Sequence, residues 1–190
     1  MTGRGVKAWE PLPPDRRQIA RYFGCSASAL PPVLEECLSE AEGVIEGKVA
    51  WACYPFSFTD DGLDLGFAKT ESRDLARLRL GCERIVLMAA NLGPGPDELV
   101  RKYQSLSPVT AQLFQAIGAE RVESLCDAFC REFGREIPLR PRFRPGYGDL
   151  PLALQKDIFT ALDLEATLGL TLGENLVITP AKTVTSIAGW

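Results

Sequence analysis

A short, uninterrupted apolar run near the middle of the chain constrains the fold more than any other feature. Residues 84–90 contain Ile85-Val86-Leu87-Met88-Ala89-Ala90, with no polar residue among the last six. An alternating pattern would leave one face of a strand in water, whereas a continuous run is typical of a strand buried on both faces. The sequence therefore predicts a central strand whose sheet is covered on both sides.

The other segments do not alternate strictly between helix and strand. Residues 49–58 are rich in aromatic and β-branched side chains and predict a strand, which Asp61-Gly62 turns back into a partner at residues 63–65. Two final strands are predicted at residues 176–178 and 183–187. Helical spacing and start signals predict helices at residues 15–23, 31–47, 97–104, 107–133 (broken near Gly118) and 151–164. The pattern favours an α+β fold with a mainly antiparallel twisted sheet and helices packed on it, over a doubly wound parallel fold.

Length and composition limit the organisation and the partners of the chain. The 190 residues fit one domain, 1–190, and we expect the polar, proline-rich residues 1–14 to form a loose N-terminal arm without a signal sequence. A net charge of −4 gives no electrostatic footprint for nucleic acid, and no apolar run reaches the roughly 20 residues of a membrane span. We expect no nucleic-acid partner and no membrane partner.

Cysteine and histidine usage restricts the chemistry. The six cysteines are scattered, without a Cys-x-x-Cys pair, which favours reduced cysteines in a cytoplasmic protein and no metal site. The absence of histidine excludes Ser-His-Asp and Cys-His catalysis. Any chemistry must use carboxylates, Arg, Lys, Tyr or a bound cofactor.

The segment 142–150 is the best candidate for a binding site. It reads Arg-Phe-Arg-Pro-Gly-Tyr-Gly-Asp-Leu and precedes a predicted helix. The guanidinium of Arg142 suits a carboxylate, because its planar fork can form two parallel charge-assisted hydrogen bonds. Gly146 allows a close approach of the backbone, and Tyr147 offers an aromatic ring. The residues taken singly have an ordinary alternative as a surface ion pair, a tight turn and a packing side chain.

A family resemblance covers this segment and its surroundings. The segment 142–147 matches the Arg-x-x-x-Gly-Tyr element of the activation domain of cobalamin-dependent methionine synthase. Glu136 stands six residues before Arg142, as a glutamate does in that family, and the stretch 121–124 matches a second family glutamate at Glu123. Residues 169–174 are similar to the family's helix-to-strand entry, and residues 176–184 to its closing hairpin.

The resemblance implies a function and a set of site residues. The family binds S-adenosylmethionine and supports reductive remethylation of cob(II)alamin, so a free-standing activation domain would act on a separate methionine synthase that holds the cobalamin. Flavodoxin or a similar donor would supply the electron. No residue of the chain is expected to be catalytic. The implied S-adenosylmethionine-binding residues are Glu123, Glu136, Arg142, Arg144, Gly146 and Tyr147.

Departures from the family leave two alternatives open. The family has an N-terminal aspartate for which no equivalent is assigned, and a tyrosine beyond the closing hairpin, whereas this sequence ends at Trp190. The resemblance therefore implies weak binding by the chain alone, with the C-terminal part of the pocket missing or supplied by another protein. The chain could instead serve another corrinoid methyltransferase, or be a non-catalytic adaptor that has lost S-adenosylmethionine binding.

Overall fold

The fold is organised around an antiparallel sheet, in a computed structural model that describes residues 3–190. The strands are β1 (Arg4–Ala8), β2 (Lys48–Pro55), β3 (Ser57–Thr59), β4 (Gly62–Asp64), β5 (Lys69–Thr70), β6 (Arg84–Asn91), β7 (Thr171–Leu172), β8 (Ile178–Thr179) and β9 (Thr183–Gly189). The main sheet has the order β1-β2-β6-β9, with every pair antiparallel. Strands β3, β4 and β5 form a small second sheet, and β7 pairs with β8. The predicted α+β class with an antiparallel sheet is confirmed.

Seven α-helices pack on and around the main sheet in the described part of the chain. They are α1 (Arg16–Phe23), α2 (Leu34–Glu42), α3 (Arg73–Leu78), α4 (Gly95–Gln104), α5 (Pro108–Phe133), α6 (Gln155–Leu162) and α7 (Leu164–Leu168). Helix α5 continues through Gly118, where a break was predicted, because an interior glycine weakens a helix by only about 1 kcal/mol relative to alanine. Neither α5 nor any other helix in residues 3–190 has the length and apolar character needed to cross a membrane.

Strand β6 is the central strand that the apolar run predicts. Its side chains alternate between two hydrophobic clusters, with Ile85, Leu87 and Ala89 on one face and Val86, Met88 and Ala90 on the other. The first face packs against α6 and α7, and the second against the C-terminal half of α5. Both faces are fully buried at β6. A third cluster joins α1, α2 and α4 to the N-terminal half of α5.

The N-terminal segment differs from the predicted loose arm. Residues 4–8 form β1, an edge strand that pairs with β2 from Arg4 opposite Ala52 to Ala8 opposite Lys48. Gly5 lies against the indole of Trp51, where a Cβ would come within 2.4 Å of Cζ2. The side chains of β1 are largely exposed, so main-chain hydrogen bonds hold the strand and no alternating apolar pattern reveals it in the sequence.

The predicted closing hairpin is also wrong. Strand β8 pairs with β7, from Thr171 opposite Thr179, while β9 pairs with β6. The side chains of β9 are buried almost throughout, so the strand gains more from the central sheet than from a two-stranded hairpin. This arrangement places β9 beside the segment that precedes Arg144.

Candidate functional site

Helix α5 presents two carboxylates, Glu123 and Asp127, on one face. Residues four apart on a helix are neighbours on its surface. Leu125 and Phe129 are fully buried against the sheet and fix the rotation of the helix. The two carboxylates consequently lie on the side of α5 that borders residues 142–144.

The segment from Arg142 to Arg144 runs alongside β9. Phe143 and Ile187 exchange two main-chain hydrogen bonds, of 2.9 Å and 2.8 Å. Side chains alternate along an extended backbone, so the side chain of Phe143 packs into the core while those of Arg142 and Arg144 point together to the opposite side. Both guanidinium groups therefore meet the carboxylates of α5.

These four side chains form what we call the ion-pair cluster: Glu123, Asp127, Arg142 and Arg144. Nη2 of Arg142 lies 2.7 Å from Oδ1 of Asp127 and 3.2 Å from Oε2 of Glu123. Nη2 of Arg144 donates to the same oxygen of Glu123. Nη1 of Arg142 is buried and has no hydrogen-bond partner. Arg142 therefore has one terminal nitrogen, Nη1, with an unused donor, while its other terminal nitrogen, Nη2, is already bound to two carboxylates.

Burial and mutual charge set the electrostatics of the ion-pair cluster. Burial lowers the pKa of Arg142 despite the neighbouring charge of Glu123. Burial would also lower the pKa of Arg144, but the hydrogen bond and charge of Glu123 outweigh it and the net shift is upward. Burial first, and then the charge of Glu123, raise the pKa of Asp127. The environment of Asp127 therefore stabilises its charged form less than water does.

The turn after Arg144 exposes backbone and an aromatic ring. Gly146 has φ +86°, in the left-handed region that favours glycine, and its N–H donates to the carbonyl of Leu150 over 2.9 Å. The side chain of Tyr147 is 54% exposed, with the Arg144 guanidinium 5.5 Å from the centre of its ring. A ligand held by the ion-pair cluster would have the Tyr147 ring and the Gly146 backbone within reach.

Helix α1 adds a residue that the sequence reasoning missed. Tyr22 is 47% exposed, and its pKa is raised by burial and then by the charge of Glu123, against the opposing charge of Arg144. A groove of about 490 Å³ lies between α1, residues 12–15 and α5, and both Tyr22 and Asp127 line it. Asp127 was also missed, although its spacing of four from Glu123 was a usable signal. Nothing in the sequence links Tyr22 to residues more than one hundred positions away.

The side chains of Arg79 and Asp149 fix the two ends of residues 141–149. The guanidinium of Arg79 is fully buried and donates to the carbonyls of Leu78 (3.1 Å), Pro141 (2.9 Å) and Ile187 (2.6 Å). Burial lowers the pKa of Arg79 to about 10. At the other end, the carboxylate of Asp149 accepts hydrogen bonds from the first turn of α3. The segment is thus fixed to the sheet on one side and to α3 on the other.

Glu136 lies apart from the other predicted site residues. It follows the C-terminal end of α5, and its side chain is exposed. A helix rises about 1.5 Å per residue, so Phe133 is already about 15 Å from Glu123 along the axis. The structure brings together Glu123, Arg142 and Arg144 with the Gly146–Tyr147 turn beside them, and leaves Glu136 outside this group.

Comparison with known proteins shows a shared fold. No protein-family model and no curated protein sequence matches the chain. Among solved structures the chain is similar to the MetH reactivation domain, whose crystal structure contains bound AdoHcy. The match has a TM-score of 0.62 at 16% sequence identity and covers 97% of this chain and 78% of that chain. The chain is therefore activation-domain-like in fold, as the sequence resemblance predicts.

Proposed function

We propose that the protein binds S-adenosylmethionine at the ion-pair cluster and the adjoining turn, and supports reductive remethylation of cob(II)alamin. The cobalamin would be held by a separate cobalamin-dependent methionine synthase, and flavodoxin or a similar donor would supply the electron. The observation that carries the proposal is Arg142, a partly buried guanidinium with an unused donor on an activation-domain-like fold. All six cysteines are free, in keeping with a cytoplasmic site of action.

The residues present fit the chemical groups of S-adenosylmethionine. Arg142 would bind the carboxylate through its terminal nitrogen Nη2, because a charged guanidinium donor gains most from an anionic acceptor. Gly146 would offer its backbone to the adenosine, and Tyr147 would lie at the border between the ligand and the partner protein. Glu123 is the candidate within the ion-pair cluster for the ammonium and the sulfonium, and Glu136, which follows the end of α5, stays a candidate from the resemblance alone.

The role of the protein is positioning and electrostatics. S-adenosylmethionine supplies the methyl group, and no side chain of this chain has to act as nucleophile or base. Glu123 bridges Arg142 and Arg144, so it orients both guanidinium groups before the ligand arrives. A pre-oriented charge pair reduces the reorganisation that binding requires.

Two other functions are distinguished by the same experiments. The acceptor could be a different corrinoid methyltransferase, since none of the site residues described above identifies the acceptor protein. An adaptor without ligand binding is favoured by one observation: Glu123 and Asp127 already occupy the outer nitrogens of both arginines. Ligand binding to the isolated chain separates the adaptor from the other two.

Titration calorimetry with S-adenosylmethionine tests the proposal. We expect measurable binding by the wild type and a loss of about tenfold or more in Arg142→Met, as a charge-assisted hydrogen bond worth about 1.5–3 kcal/mol implies. Arg135→Met is the matched control, because Arg135 is an exposed arginine just past α5 and its replacement removes the same charge. Equal binding by the two variants would place the ligand elsewhere.

The partner is tested with reduced mixtures. We expect cob(II)alamin on a methionine synthase without its own activation domain to be remethylated only when this protein, S-adenosylmethionine and an electron donor are present. Absence of S-adenosylmethionine binding, with and without the cobalamin protein, would favour the adaptor. Binding without remethylation would point to another corrinoid acceptor.

A further inference from the structure

Asp127 occupies the position that a ligand carboxylate needs. A two-point contact with a guanidinium requires two donors that point the same way. Nη1 of Arg142 is buried, and the outer nitrogen, Nη2, is already bound to Oδ1 of Asp127 at 2.7 Å. An incoming carboxylate that uses Nη2 therefore has to take the place of Asp127.

Of the two carboxylates on Arg142, Asp127 is the one able to leave. The side chain of Glu123 is 23% exposed and contacts both arginines, whereas that of Asp127 is 58% exposed and contacts Arg142 alone. Moving Glu123 would leave Arg144 without its ion pair, and moving Asp127 breaks a single contact. An exposed aspartate also loses little free energy when it turns into water.

The charged environment of Asp127 also favours its release from Arg142. Burial and the charge of Glu123 raise its pKa, so the charged form is less favoured than in water. Four groups of α5 face Asp127: Glu120, Glu123, Arg131 and the thiol of Cys130. The segment beside β9 contributes Arg142 and Arg144. Helix α1 contributes Gln18 and Tyr22 to the same groove. Acidic neighbours on its own helix therefore offset part of the attraction to the arginines.

We infer that Asp127 is an internal competitor for the ligand, a carboxylate that an amino-acid-type ligand must displace from Arg142 before it is held. This inference rests on the proposed function, because it concerns the same guanidinium. It assigns Asp127 a role in affinity and specificity without contact between Asp127 and the bound ligand. Ligands that lack a carboxylate do not compete for Arg142 and leave Asp127 in place.

The test compares Asp127→Asn with the wild type by titration calorimetry at neutral pH. We expect S-adenosylmethionine to bind the variant about three- to fivefold more tightly, the range typical of a partly exposed ion pair. Decarboxylated S-adenosylmethionine, which keeps the sulfonium and the amine, should bind both proteins equally. Glu132→Gln is the matched control, because it removes a carboxylate from the same helix. The Glu132 carboxylate contacts Lys7 and not Arg142, so both affinities should stay unchanged.

A pH series adds a readout that a structural role of Asp127 would not change. As the pH falls from about 7 towards the raised pKa of Asp127, its protonation weakens its hold on Arg142. The affinity of the wild type should then approach that of Asp127→Asn, while the variant stays nearly constant. Thermal unfolding of each variant confirms that the folds compared are the same.

The outcomes separate this inference from the proposed function. Binding by the wild type with equal or weaker binding by Asp127→Asn overturns the competitor role and leaves the proposed function intact. An equal gain for the decarboxylated ligand also overturns it, since competition for Arg142 would not be the cause. No binding of S-adenosylmethionine by either protein overturns the proposed function, and the inference with it.

Discussion

Replacing Phe129 by alanine should destabilise the protein by about 4–5 kcal/mol. Phe129 is fully buried, and its ring centre lies 5.4 Å from that of Trp9, 5.5 Å from that of Trp51 and 5.5 Å from that of Phe133. Removal of a buried phenylalanine side chain costs about 3–5 kcal/mol. The loss of three aromatic pairs is part of that cost and favours its upper part, and the better helix propensity of alanine returns only about 0.5 kcal/mol. These terms place Phe129→Ala in the upper part of the range.

Urea unfolding followed by circular dichroism measures this effect. The control is Phe58→Ala, because Phe58 is 51% exposed and pairs with a single ring, that of Phe56 at 5.3 Å. We expect the control to lose less than about 1 kcal/mol, with similar denaturant slopes for both variants. A loss below about 2 kcal/mol for Phe129→Ala, or a loss equal to that of the control, would refute the idea that Phe129 fixes α5 to the sheet.

Four further substitutions test other features. Gly148→Ala should cost about 2 kcal/mol in thermal unfolding and Gly169→Ala about 1 kcal/mol: both positions have positive φ, but only at Gly148 would the new Cβ meet a carboxylate oxygen, at 2.2 Å. Arg79→Met should lower the free energy of unfolding by about 2–3 kcal/mol in urea, since buried main-chain oxygens lose their donor; an unchanged value would show that water replaces it. Glu40→Gln should flatten the loss of thermal stability in acid. The hydrogen bond from Lys102 lowers the pKa of Glu40, so its contribution is present above the ordinary value of 4.5 and is lost as the pH falls through the lower folded value. Equal acid sensitivity of the two proteins would contradict that assignment.

The central sheet and its class were predictable from the sequence because a strand that is buried on both faces consists of consecutive apolar residues. Residues 85–90 could not lie at a surface without exposing six apolar side chains, and the structure buries all of them. Strand β1 left no such record, since an edge strand with exposed side chains is defined by its main-chain partner. The pairing of β8 was missed for a related reason: nearness in sequence suggested a hairpin, while the burial of β9 favoured the sheet.

The candidate site was predictable only in part. The segment 142–147 carries its chemistry in adjacent residues, and the family resemblance of the stretch 121–124 pointed to Glu123. The hydrogen bonds between them depend on the register of Phe143 against Ile187, which no local pattern specifies. Tyr22 and Arg79 reach the site through tertiary packing alone. Glu136 was assigned from its spacing in the family, but it follows the C-terminal end of α5, several turns of helix beyond Glu123.

The attachment of the segment at both ends has an entropic consequence. Arg79 and the β9 backbone hold residues 141–143, the N–H groups of Gly146 and Tyr147 bond to the carbonyls of Leu150 and Arg144, and Asp149 is bound to α3. Fixing the backbone of one free residue costs about 1–2 kcal/mol, and most of that loss has already occurred during folding. Variants that loosen the sheet near β9 should therefore weaken ligand affinity even though every ligand-contacting side chain is unchanged.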